Sequence, residues 1–138
     1  MATSQNVGAI TFGLCTAGSA TITHVSIGRA SSGTGEIIAS AALAASLAVS
    51  NGITPSFAAG QLTVSGLLNL LKLLFNNTTW ANVGDVTGIV GSGTAGNLYV
   101  ALHTADPSAG DQSTSETTYT GYGGRVAVAR TTGGWTVA

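Results

Sequence analysis

The sequence predicts a mainly β protein: a single domain over residues 1–138, an antiparallel β-sandwich or flattened barrel with one helix. Three observations carry this. Val126 and Val128 alternate with Arg125, Ala127 and Ala129, the period of a half-buried strand, and Ala20–Gly28 also reads as a strand. Turns rich in Gly, Ser and Asn separate short runs along a chain that holds 20 glycines. One stretch, Leu67–Phe75, carries a dense run of leucines that suits a helix. The 138 residues suffice for a buried core, and no linker is long enough to divide them. A sheet with its open face or end covered by one helix satisfies these observations.

The elements follow in order. Val7–Phe12 and Ala20–Gly28 read as strands. In the second, Ile22, His24, Ser26 and Gly28 share one side, and Thr21, Thr23, Val25 and Ile27 the other. Arg29–Gly35, with Ser31-Ser32-Gly33-Thr34-Gly35, is a turn with several candidates for positive φ. Glu36–Val49 is ambiguous, because its alanines favour helix by propensity; strands are the preferred reading. Asn51-Gly52 signals a turn, and Pro55 keeps Thr54 extended. Gln61–Val64 is a further short strand. Ser65 reads as the N-cap of the helix Leu67–Phe75. Leucines at 67, 68, 70, 71, 73 and 74 cover more than one face, leaving Asn69 and Lys72 on the remaining stripe. Two readings fit so wide a face. One surface meets this chain's own sheet and the other a neighbouring subunit, or the helix is sunk in its own core. Asn76–Gly96 is loop-like, with Trp80 as its anchor, and strands Asn97–His103, Gly124–Thr131 and Trp135–Val137 complete the chain.

Composition excludes several functions. Charged residues make up 7 %, and the net charge is −1, so no basic patch exists for phosphate contacts. Nucleic acid is not an expected partner. The apolar run Leu67–Phe75, interrupted by Asn69 and Lys72, is too short to span a membrane. Met-Ala-Thr-Ser-Gln-Asn at the start lacks a basic segment, so no secretory leader is expected. Cys15 is the only cysteine; beside Phe12 and Leu14 it reads as a small packed hydrophobe. Ser and Thr supply much of the polar surface instead of charge, which suits a protein packed in an assembly or outside a cell, and equally an ordinary Ser/Thr-rich β domain.

The motifs that could carry chemistry each have a plainer structural reading. Gly91-Ser92-Gly93-Thr94-Ala95-Gly96 matches GxGxxG, but a dinucleotide fingerprint must open a helix and these glycines run into a predicted strand. His103 and Asp106, with His24, could in principle hold a metal; the structural alternative is a hydrogen-bonded His103 and a turn at Asp106-Pro107. Glu36, Asp85, Asp106, Asp111 and Glu116 are scattered, and glycoside hydrolysis needs a facing pair. Asp111 and Glu116 fall in a Ser/Thr-rich loop whose mobility would spoil placement. The nucleophile elbow GxSxG is absent. Tyr119, Tyr122, Trp80 and Trp135 could form a sugar-stacking or docking patch, or be structural, with Gly121 turning a corner. No catalytic, cofactor-binding or metal residue is assigned, and no cofactor is expected.

Asn97-Leu-Tyr-Val-Ala-Leu-His-Thr-Ala-Asp-Pro107 is followed by a Ser/Thr-rich loop, then Tyr119-Thr-Gly-Tyr-Gly-Gly-Arg-Val-Ala-Val-Ala-Arg130 and Gly133-Gly-Trp-Thr-Val137. This pattern resembles a family of small tailed-phage virion proteins described as tail-fibre or head-decoration components. The family segment that follows the first motif resembles Ile10–Val64, which here lies at the front, so the order reads as circularly permuted. The resemblance reads Glu36–Val49 as strand, turn, strand. It implies a non-enzymatic structural protein of a phage particle, made in the host cytoplasm and carried on the virion. The favoured role is a capsid decoration or cement protein on the outer head, bridging major capsid subunits and forming a homo-oligomer, with a trimer suited to an icosahedral shell. The alternatives are a tail or fibre attachment protein and a carbohydrate- or surface-binding β-sandwich module.

Overall fold

The computed structural model describes residues 1–80, 91–107 and 110–138. The protein is mainly β, with antiparallel sheets and one helix, and no sheet closes into a barrel among the described residues. The strands are β1 (Ala2–Asn6), β2 (Ile10–Thr11), β3 (Ser19–Gly28), β4 (Ile37–Ser50), β5 (Ser56–Phe57), β6 (Thr63–Gly66), β7 (Asn97–His103), β8 (Val126–Ala129) and β9 (Trp135–Val137). The helix α1 spans Leu68–Asn76. The chain forms two compact units. One comprises Met1–Ile10, Phe57–Asn97 and Val128–Ala138; the other comprises Thr11–Ser56 and Leu98–Ala127.

The first unit is a three-stranded sheet in the order β6-β1-β9, with α1 packed on β9 and β1. The expected strand Val7–Phe12 is displaced. The pairing strand is Ala2–Asn6, and only Ile10–Thr11 stays extended further on. Asn6 explains the break. It is 1 % exposed, its Nδ2 donates to Gly8 O at 2.8 Å and Ala58 O at 2.9 Å, and Leu62 N donates to its Oδ1. An amide that satisfies three backbone groups ends the strand beside it. Ser65 is not a helix cap. It sits in β6 opposite Thr3, and the ladder holds Ser65 and Gly66 extended. Leu67 takes the cap position with no side-chain bond. At the other end Asn77 is left-handed (φ 54°), and Thr78 N–H closes on Lys72 O at 3.0 Å, the usual helix-ending loop. Phe75 meets Trp135 edge-on at 4.8 Å, and Asn76 Nδ2 donates to Trp135 O at 2.8 Å. Thr3 and Ala138 exchange backbone bonds at 2.8 and 2.9 Å, so the two chain ends lie side by side.

The second unit is built on the sheet β4-β3-β7-β8. Val25–Gly28 and Val100–His103 are buried without alternation, so both faces of the sheet are covered there. Glu36–Val49 resolves as strand: the long β4, starting at Ile37. Its pairing with β3 jumps from Ile22↔Leu47 to His24↔Ala42, which leaves a four-residue bulge where a turn was expected. Propensity for helix yields here to the ladder with β3. The strand expected at Gly124–Thr131 is shorter, Val126–Ala129, because Gly124 is at φ 96° and Thr131 opens a tight turn to Trp135. In that strand Val126 and Val128 are half-buried while Ala127 and Ala129 are exposed, as the period of two required.

Candidate functional site

The second unit holds the densest polar cluster, centred on Arg125. Sequence alternation set Arg125 beside the outward alanines of its strand, yet its side chain is 1 % exposed. Nε and Nη2 donate to the two oxygens of Glu116 at 3.0 and 2.8 Å. Nη1 donates to Ala30 O at 2.9 Å and to Gln112 Oε1 at 3.5 Å, and Nη2 donates to Gly33 O at 2.8 Å. All five guanidinium donors are thus used within the chain, leaving none for a ligand. Glu116 Oε1 also accepts the Tyr122 hydroxyl at 3.0 Å, and that hydroxyl accepts Leu102 N–H at 3.2 Å. Burial pushes the Tyr122 phenol far above its ordinary range, so it remains a donor.

Gln112 completes the cluster from full burial. It accepts Ala30 N–H at 3.2 Å and donates to Tyr99 O at 3.1 Å. Its room comes from two glycines, since a Cβ on Gly28 would stand 2.0 Å from its side chain and one on Gly35 2.6 Å. The cluster therefore pins the Arg29–Gly35 turn and the Asp111–Thr118 segment to β7. Glu116 was expected in a mobile loop; the Arg125 fork fixes it instead. Two hydroxyl-lined grooves open beside it, of about 320 Å³ against Ser31, Ser32 and Thr118, and about 290 Å³ against Ser19, Thr104 and Thr120.

His103 and His24 are brought together, which the sequence alone did not require. They stand directly opposite in the β3–β7 register. His103 is fully buried, its Nδ1 bonded to Thr114 O at 2.9 Å and its Nε2 to Ser26 Oγ at 2.7 Å. A carbonyl can only accept, so Nδ1 carries the proton and Nε2 accepts from Ser26. Burial, offset in part by the Thr114 bond and nearby Glu116, holds its pKa below the ordinary 6.5. His24 Nδ1 pairs with Thr23 Oγ1 at 2.9 Å. Among the described residues no three His, Cys, Asp or Glu side chains gather as metal ligands would.

The other candidates separate. Asp106 lies exposed where the chain leaves β7, and Asp85 lies outside the described residues. Asp111 accepts Ser113 Oγ and N–H at 2.5 and 2.8 Å, which lowers its carboxyl pKa. Glu36 pairs with Arg29 on the surface at 2.7 Å, both about 70 % exposed. Cys15 is fully buried and donates to Ala17 O at 3.3 Å. The GxGxxG glycines lead into β7, not a helix, and Gly91 is required because a Cβ there would stand 2.2 Å from Asn77 O.

The proposed aromatic platform does not form from its main members. Tyr119, Tyr122 and Trp135 are all buried, and Trp80 is half-buried. Tyr122 stacks on Phe12 at 5.9 Å and meets Tyr119 edge-on at 5.4 Å. Apolar surface is exposed elsewhere. In α1 only Leu71 and Phe75 are buried, while Leu67, at the helix cap, is 66 % exposed, Leu68 40 % and Leu70 38 %. Sequence reasoning foresaw this excess face but missed the Arg125 cluster. Its signal was scarcity: four basic residues in the whole chain, one of them at the mouth of a strand.

Residues 1–65 match the family described as Podophage GP4 fiber I protein gp80. The match supports a structural protein of a phage virion and covers the front segment, Ile10–Val64, of the resemblance drawn above. It does not reach Asn97–Val137. No curated protein and no solved structure matches the chain.

Proposed function

We propose that this chain is a non-enzymatic structural protein of a phage particle, held among other virion proteins in a fibre or tail attachment. The observation that carries the reading is the exposed leucine stripe Leu67, Leu68 and Leu70 on a protein with so few charges. Desolvating it against another protein is favourable at about 25 cal/mol per Å² of apolar surface. The fibre description of the matching family favours this placement over the head.

A second reading keeps the chain on the outer capsid, as a decoration or cement protein bridging major capsid subunits. A neutral, hydroxyl-rich surface that contacts by shape favours it, and so does the ease of seating a homotrimer on a threefold position. In either place the chain acts as one virion-protein domain over 1–138. Both units are assembled from separated segments, so neither can be cut away as a contiguous piece. The adjacency of Thr3 and Ala138 supports the permuted order, because a cut in a continuous strand pair leaves its ends side by side.

Quantitative mass spectrometry of purified particles tests both placements. A few to a few dozen copies per particle fits a fibre or tail part, and hundreds fit a shell protein. Absence from intact particles overturns the proposal.

A further inference from the structure

Strand β4 is the outer strand of its sheet and pairs with β3 alone among the described residues. Its free edge is a row of backbone N–H and C=O groups. Proteins guard such an edge with Lys, Pro, a bulge or a very short strand. β4 carries the bulge at residues 43–46 but no Lys or Pro, and it is long. It runs for 14 residues, Ile37–Ser50, without a charge, a proline or a glycine.

The sequence of this edge is symmetric. Ser40-Ala41-Ala42-Leu43-Ala44-Ala45-Ser46 reads the same in both directions about Leu43. An antiparallel copy related by a two-fold axis at Leu43 places Leu43 on Leu43, Ala42 on Ala44, Ala41 on Ala45 and Ser40 on Ser46. The centre of this segment is also released from β3. Leu43, Ala44, Ala45 and Ser46 have no register partner there, and the last three are exposed. Their small side chains let a second backbone approach closely.

We propose that β4 is an intermolecular strand, which pairs antiparallel with β4 of a second copy of this chain about a two-fold axis at Leu43. Strand addition at an open edge takes its affinity from main-chain bonds. The symmetry selects the occupant: a two-fold contact uses one patch twice, and a palindromic edge is complementary to itself. An unrelated strand gains nothing from the symmetry. The absence of charge removes the repulsion that like edges usually suffer. The contact stands apart from any role in a phage particle. It doubles whatever species the rest of the surface builds, giving a dimer from a monomer or a hexamer from a trimer.

The test uses the purified full-length chain and its mass by light scattering and sedimentation. Leu43→Lys and Leu43→Glu each set like charges face to face on the axis. Each alone is expected to halve the wild-type mass, and an equimolar mixture to restore it, with the circular dichroism spectrum unchanged. Leu43→Cys is expected to cross-link under mild oxidation. Ala45→Cys, which faces Ala41, is expected to cross-link far less, and wild type, with Cys15 buried, not at all. A bulge that serves only to twist the edge away from other chains gives a different set of results. A wild-type mass of one copy at all concentrations, a mass unmoved by the Lys and Glu variants, or equal cross-linking at positions 43 and 45 overturns the proposal. Should the charged variants fail to fold, the cysteine pair decides alone.

Discussion

Arg125 and Glu116 meet twice, at 3.0 and 2.8 Å, around a guanidinium side chain that is 1 % exposed. A charge so deeply buried is tolerated only because every donor is matched. Arg125→Ala leaves the Glu116 carboxylate without its charge partner and strips a donor from the Ala30 and Gly33 carbonyls, and should cost about 3–5 kcal/mol in urea unfolding. Arg125→Lys should recover little, because a compact ammonium cannot reach acceptors spread around a planar fork. Arg125→Met with Glu116→Gln should lose less than the two single changes summed. Additive losses would mean that the pair is not coupled.

Burial of His103 should make the protein's stability fall in mild acid. Its folded-state pKa lies below the ordinary 6.5, so between the two values the unfolded chain binds more protons than the folded one. Its neutral form thus contributes stability that is complete above 6.5 and is lost as pH falls toward the depressed value. His103→Gln should lower stability at neutral pH by about 1–3 kcal/mol and flatten the acid limb below 6.5. Melting temperature measured across that window for both proteins checks it. An unchanged slope would assign the acid limb to other groups.

Gly121 and Gly13 need glycine for reciprocal reasons. A Cβ on Gly121 would stand 1.8 Å from Leu14 O, and one on Gly13 1.7 Å from Gly121 O. Gly121 is also at φ 100°. Gly121→Ala should therefore cost about 3 kcal/mol or more, as strain and clash combine. Gly18→Ala, at φ 78° with open space around it, should cost only about 1 kcal/mol. Equal losses would show that the corner relaxes.

The contrast between Arg125 and β7 shows what was legible in the sequence. Asn97–His103 and Trp135–Val137 appear at their expected bounds, because their apolar residues and flanking turn signals agree. Alternation also gave the half-burial of Val126 and Val128 correctly. It misled at Arg125, since the period describes Cβ directions and not where a long side chain ends. Ser65 failed as a cap because the ladder to Thr3, a contact over 60 residues of sequence, outweighs a local preference. The pairing of His24 with His103 follows from strand register, which spacing along the chain does not contain.

The adjacency of Thr3 and Ala138 makes a circular permutant testable. Joining the ends through a short linker and opening the chain at Gly93–Thr94 starts it just ahead of β7, the order that the permuted reading of the resemblance implies. Gly93 is exposed, and a Cβ added there would meet nothing within 4 Å, whereas an opening near Ser65 would cut the β6–β1 ladder. The permutant should fold and melt within a few degrees of the parent chain. Collapse of the permutant into aggregates would count against the permuted reading.

The helix separates folding from assembly. Leu71 and Phe75 are buried at 3 % and 0 %, so Leu71→Asp should cost stability outright, by about 3 kcal/mol or more as a buried charge replaces packed carbon. Leu68 and Leu70 keep about two-fifths of their surface open, and Leu67 keeps more. Leu67→Asp, at the exposed helix cap, should change stability by no more than about 0.5 kcal/mol, and Leu70→Asp by about 1–2 kcal/mol, less than Leu71→Asp. If the stripe is the seat on the virion, those same changes should lower occupancy on particles, because interfaces concentrate their energy in a few apolar anchors. The paired measurement is the melting temperature of the isolated protein and its copy number on particles grown with each variant. Normal occupancy in every outward variant would remove the stripe as the contact. The hydroxyl-lined grooves beside Glu116 would then be the next surface to alter, through Ser31→Trp and Thr120→Trp.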